Sequence, residues 1–248
     1  MTPELSALAL LSLGLVFGLK HATEADHVVA VSTIVSRERS LLRSALVGAL
    51  WGVGHTAALI AVGVVVLAFR VAVPERVAGW LEFGVALMLI GLGASALLRA
   101  LSRRADVHLH QHEHDNVSHV HLHFHERGTG HTGAVSAHSH AVSRIGLKPL
   151  FVGAMHGLAG SAALTLLVLA QVKSAALGLV YLAVFGIGSV AGMLFMSALV
   201  GLPFALSARR FKRAHYGLQT AAGALSIVFG LWYAYEIGVA RGLWQRLL

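Results

Sequence analysis

Long apolar stretches alternate with short basic ones along this chain. Six apolar spans stand out, at roughly 4–35, 44–69, 79–99, 149–171, 175–206 and 214–237. A helix needs about 20 apolar residues to cross a bilayer, so the first span is overlong. It also carries Lys20, His21, Glu24, Asp26 and His27 in its middle. Irregular backbone and charge at membrane depth are tolerated where protein or a water-filled cavity lines them. The span is therefore read as one kinked or broken helix; the alternative is a short first helix, a polar turn and a re-entrant piece. The pattern predicts an all-α integral membrane protein of about six transmembrane helices. They fall in two halves, 1–100 and 148–248, joined by a flexible polar loop at 101–147.

Composition agrees with that class. The 248 residues are 56% hydrophobic and 12% charged, with a mean hydropathy of +0.74. Soluble domains are about 25% charged, so soluble globular, disordered and coiled-coil classes fit poorly. With no Cys, disulfides, thiolate metal sites and Cys nucleophiles are excluded. The 27 Gly residues suit close-packed membrane helices. A net charge of +8 would suit nucleic acid in a soluble chain; in one this apolar it sets topology. Arg37, Arg39, Arg43, Arg99, Arg103, Arg104, Arg127, Arg144, Lys148, Arg209, Arg210, Lys212 and Arg213 lie in one set of loops, and Arg70, Arg76, Lys173, Arg241 and Arg246 on the other side. This excess places both termini outside and the loop 101–147 in the cytoplasm, in a multi-pass cytoplasmic (inner) membrane protein. The start, Met1-Thr2-Pro3-Glu4, has no basic n-region, so no signal peptide is expected.

An internal repeat is visible. Residues 47–59 lie over 152–164 with seven of 13 positions identical, and Gly18-Leu19-Lys20-His21 lies over Gly153-Ala154-Met155-His156. The second alignment pairs antiparallel spans, which is the three-plus-three inverted plan of many secondary transporters. The first pairs parallel ones. Both alignments stay open at this stage.

The densest chemistry is His21-Ala-Thr-Glu24-Ala-Asp26-His27. Ionisable residues inside a membrane span mark functional sites by default. Imidazoles suit Ni, Co, Zn and Cu, and carboxylates add charge neutralisation. On a straight helix His21, Glu24 and His27 fall within an arc of about 120°, whereas Asp26 sits about 140° from His21. His21, Asp26 and His27 converge only if the helix breaks there; otherwise one of them orients a ligand imidazole through its other N–H. His55 and His156 each stand alone on an apolar, Gly-rich stretch, and are the candidate donors from other helices. Gly52, Gly54, Gly157 and Gly160 suit helix packing. Glu82 and Glu236 read as solvated charges near the outer span ends.

The loop holds eleven of the 16 His. His108, His110, His112 and His114, then His119, His121, His123 and His125, alternate with period two, and His131, His138 and His140 follow. Such a tract reads as a labile metal-binding segment, expected to be mobile without metal. Period two suits an extended ribbon. Binding through neutral imidazoles should weaken as pH falls through about 6.5.

Gly18-Leu19-Lys20-His21-Ala22-Thr23-Glu24-Ala25-Asp26-His27-Val28 resembles the His-x4-Asp-His signature of the nickel/cobalt transporter family (NiCoT, within the NicO superfamily). Trp51-Gly52-Val53-Gly54-His55-Thr56 resembles that family's Gly-His-Ser/Thr segment. His156-Gly157-Leu158-Ala159-Gly160-Ser161 is similar to the short, urease-accessory-type (UreH-like) branch. The resemblance implies a Ni²⁺ or Co²⁺ permease, with His21, Asp26, His27 and His55 as the matching residues. The acidic motifs that longer members carry in later helices are absent, and His156 is the candidate replacement ligand. The long His loop also resembles the efflux branch.

The expected activity is secondary transport of Ni²⁺ and/or Co²⁺, with uptake favoured. Its partners are a divalent transition-metal ion, the bilayer and cytoplasmic metal chaperones. Neither a prosthetic group nor nucleic acid is expected, and no nucleotide-binding motif points to ATP use. One alternative is a Zn²⁺ or heavy-metal exporter that uses the His loop as a collector. The other is a membrane metal-storage or sensor protein, or an intramembrane metalloenzyme with Glu24 as base. Against an enzyme, His21 and His27 are spaced His-x5-His, not at the i,i+4 of a His-Glu-x2-His site.

Overall fold

The first apolar span is two helices. In the computed structural model, which describes residues 7–71, 73–105, 107–114, 117–124, 146–171 and 174–245, α1 (Ala7–His21) and α2 (Ala25–Val35) meet at an angle of 53°. The break follows from local hydrogen bonding. Thr23 turns both its backbone N–H (2.9 Å) and its hydroxyl (2.6 Å) onto the Lys20 carbonyl, and Glu24 N–H reaches the His21 carbonyl (3.1 Å). These bonds tighten the last turn of α1 and divert it. Glu24 is extended (φ −63°, ψ 147°) and starts α2 as its N-cap residue.

Five helices and a hairpin follow in order. They are α3 (Leu41–Phe69), α4 (Glu75–Ala105), a hairpin of β1 (Val107–His114) and β2 (Val117–Phe124), α5 (Lys148–Gln171), α6 (Ala175–Arg210) and α7 (Lys212–Tyr235). A π-helical turn, Glu236–Ala240, extends α7. Among the described residues, four helices are long and apolar enough to cross a membrane: Leu41–Phe69, Glu75–Leu101, Ala175–Ala208 and Arg213–Ala240. The bent pair α1–α2 passes the same test as a unit. The chain is a multi-pass membrane protein. Phe69, Phe151, Ile187, Phe195 and Val228 turn outward and exposed, as side chains facing lipid do, while the buried core gathers Val31, Val35, Trp51, Leu89, Met193 and Phe204.

Glycine sets the closest helix crossings. A Cβ on Gly153 or Gly157 of α5 would collide with the Trp51 or His55 carbonyl of α3, and one on Gly54 with the Leu150 carbonyl of α5. The same holds for α1 on α6, where Gly18 lies against the Phe185 carbonyl. Small residues allow this backbone contact in a bundle with no hydrophobic drive between helices. α4 packs along α7, and α2 lies among α4, α6 and α7. The far end of α2 is tied to α7: Gln219 Nε2 donates to the Ser36 carbonyl (2.9 Å) and Thr33 Oγ1 to the Ala222 carbonyl (3.4 Å).

The hairpin lies in the His-rich tract. Its antiparallel register sets His108 against His123, His110 against His121 and His112 against His119, while His114 meets Val117. His125, His131, His138 and His140 lie outside the described residues.

Candidate metal centre

Four helices bring five donors together at the α1–α2 break. α1 ends on His21. The first turn of α2 supplies Asp26 and His27, the middle of α3 supplies His55, and α5 supplies His156. The break changes the helical phase, so Asp26 no longer points away from its neighbours. Ring centroids lie 4.4 Å apart for His21 and His27, 5.0 Å for His21 and His55, and 4.2 Å for His27 and His156. His27, His55 and His156 are buried, His27 with 1% exposure.

Hydrogen bonds assign the tautomers. Asp26 Oδ1 accepts the backbone N–H (2.8 Å) and Nδ1–H (2.9 Å) of His27, and its Oδ2 accepts Nε2–H of His156 (2.9 Å). A carboxylate only accepts, so His27 Nε2 and His156 Nδ1 carry the lone pairs. Both atoms are buried without a hydrogen-bond partner. His21 Nδ1–H is directed onto Glu24 Oε1 (3.0 Å). His21 Nε2 is therefore an acceptor, and it receives Nε2–H of His55 at 3.0 Å. His55 Nδ1 is a third buried nitrogen with no partner. An orphaned buried polar atom costs about 1–3 kcal/mol, and three imidazoles left this way in one cluster suit a centre built to receive a cation.

Two trios of donor atoms each lie within 4.8 Å of one another: His21, His27 and His55, and Asp26, His27 and His156. Charge also favours a cation. The carbonyl end of α1 faces the break, and a helix C-terminus carries partial negative charge. Asp26, in the first turn of α2, sits at the opposite pole, where an anion is stabilised.

A cavity of about 450 Å³ opens onto the cluster and is lined by His21, Glu24, Asp26, His27 and His156. Two polar residues that the sequence pattern did not single out as site residues also line it, Glu82 of α4 and Tyr233 of α7. Glu82 lies near a span end, but its side chain is 26% exposed and paired with Arg241 (3.0 Å). The buried Trp51 of α3 lies beside the cluster, its ring 5.3 Å from His27. Thr56 donates to the Gly186 carbonyl (3.3 Å), a bond between helices.

The urease accessory protein UreH of Bacillus sp. (strain TB-90) is 40% identical to the chain over 242 residues, which cover 98% of this chain and 97% of that protein. No protein-family model matches the chain, and no solved structure matches it.

Proposed function

The chain belongs to the UreH-like branch of the nickel/cobalt transporter family, and on that premise we propose that it is a secondary permease carrying Ni²⁺ or Co²⁺ across the cytoplasmic membrane. The supporting observation is the convergence of five nitrogen and oxygen donors, from four helices, at a helix break bordered by a cavity. Imidazoles replace hydration water on a borderline dication. Asp26 holds the His27 ring and supplies negative charge, as a carboxylate behind a metal-bound imidazole does. Counting α1–α2 as one crossing and adding α5 gives six crossings. The packing of α1 on α6 mirrors that of α5 on α3, which favours the alignment of Gly18–His21 with Gly153–His156. Alternating access then rocks one half on the other around the centre. Uptake is the preferred direction, on the UreH likeness, and the excess of basic residues in its set of loops supports a cytoplasmic hairpin.

The test is flux into proteoliposomes that hold a metal-sensitive dye, with Ni²⁺, Co²⁺ and Zn²⁺ in parallel. Asp26→Asn keeps the shape but cannot accept N–H bonds on both sides as a carboxylate does. It should slow Ni²⁺ flux by about 10–100-fold, with the protein still folded and inserted. Unchanged flux in this variant would remove Asp26 from the centre.

Deleting residues 106–140 separates import from a loop-fed exporter. Cells with the shortened chain should take up Ni²⁺ at the full rate. Loss of metal resistance with rising cellular metal would instead show that the tract feeds export.

A further inference from the structure

The five donors of the centre do not meet at one point. They form two trios that share His27, and among the described residues no set of four draws within the same 4.8 Å. One imidazole cannot turn both nitrogens to a single ion, because the two point away from each other across the ring. Asp26, and His156 through it, lies on the Nδ1 side of His27, so a cation there takes the place of the Nδ1 proton, which moves to Nε2; with the proton back on Nδ1, the Nε2 lone pair faces His21 and His55. The geometry points to two cation positions on either side of the His27 ring, Asp26–His27–His156 wholly on the cavity wall and His21–His27–His55 reaching inward from that wall to His55, with the dication handed from one to the other in each transport cycle. This inference rests on the transport reading above.

Access orders the two positions. Asp26, His27 and His156 all line the cavity, as does His21, whereas His55 does not and is fully buried, so only the second trio reaches away from the cavity. The position facing the cavity carries the carboxylate, which draws a hydrated dication by charge. The deeper position offers three neutral imidazoles, which suit Ni²⁺ and Co²⁺ and serve the harder Mn²⁺ poorly. Capture and selection are thereby divided between two sets of donors. His156 is the residue that separates this scheme from a single site. Its Nδ1 is buried and unpartnered, a lone pair open to a cation.

Two substitutions rank oppositely under the two roles. His156→Gln can still donate an N–H to Asp26 but offers a weak ligand. His156→Glu loses that bond and repels Asp26, yet gives the cation an oxygen donor. With both variants at wild-type abundance in the membrane, His156→Glu should take up Ni²⁺ about tenfold faster than His156→Gln. Mn²⁺ should also compete better in the Glu variant than in the wild type. The reverse order, or equal rates at any level, would overturn the two-position scheme and leave His156 as a brace. Failure of the transport reading itself looks different: His21→Ala and His55→Ala would then take up Ni²⁺ at the wild-type rate.

Discussion

Cells carrying the His27→Ala chain are expected to take up Ni²⁺ no faster than cells without the protein, although the variant reaches the membrane. His27 is the donor common to both trios. Its ring is held from one side by Asp26 and faces His21 and His156 at centroid distances of 4.4 and 4.2 Å. Losing an outer partner of a metal ligand costs about 10–100-fold, so losing the shared ligand should cost at least about 100-fold. A smaller, purely structural loss is separated by His27→Gln, which restores most of the side-chain volume beside Trp51 but not the imidazole. Gln should therefore rescue stability and not uptake. The measurement is the initial rate of labelled Ni²⁺ uptake, normalised to the amount of protein in the membrane. A normal rate in the Ala variant would show that the cation does not pass through this cluster.

The parts of the centre differ in how readable they are from sequence. The charges in the middle of the first span are legible, because so many ionisable residues at membrane depth demand a purpose. Their mutual geometry is not. Counting 100° per residue sends Asp26 away from His21, and the answer depends on Thr23 and Glu24 ending α1 with tightened hydrogen bonds. His55 and His156 are ambiguous in sequence, each being one imidazole on an apolar face. What brings them to the centre is a crossing of α3 and α5 set by glycines whose partners lie about a hundred residues away. Glu82 reads as a solvated interface charge because it sits near a span end; only the packing of α4 against α7 turns it toward the cavity. Helix limits show a related gap between hydropathy and hydrogen bonding. α4 runs on to Ala105 and α6 to Arg210, past the apolar stretches, because backbone hydrogen bonds continue after the side chains become polar.

That glycine crossing yields a second large effect without touching any donor. Gly153 and Gly157 lie where a Cβ would strike the Trp51 and His55 carbonyls. These are helix backbone atoms, which cannot swing aside as a flexible side chain would. Gly157→Ala must push α5 off α3 over the turn that carries both His55 and His156. Overpacking of this kind costs about 1–3 kcal/mol, and a displacement on the order of 1 Å is enough to spoil a constellation of ligands. Gly157→Ala should therefore lower the Tm in detergent and also abolish most Ni²⁺ uptake. Gly91→Ala is the control. A Cβ there meets nothing within 4 Å, and a helix-interior Gly→Ala change is worth about 0.5–1 kcal/mol in the stabilising direction. It should transport normally and melt no lower than the wild type. Equal stability and uptake for Gly157→Ala and Gly91→Ala would show that α3 and α5 do not touch backbone to backbone, and with it would fall the placement of His156 beside Asp26.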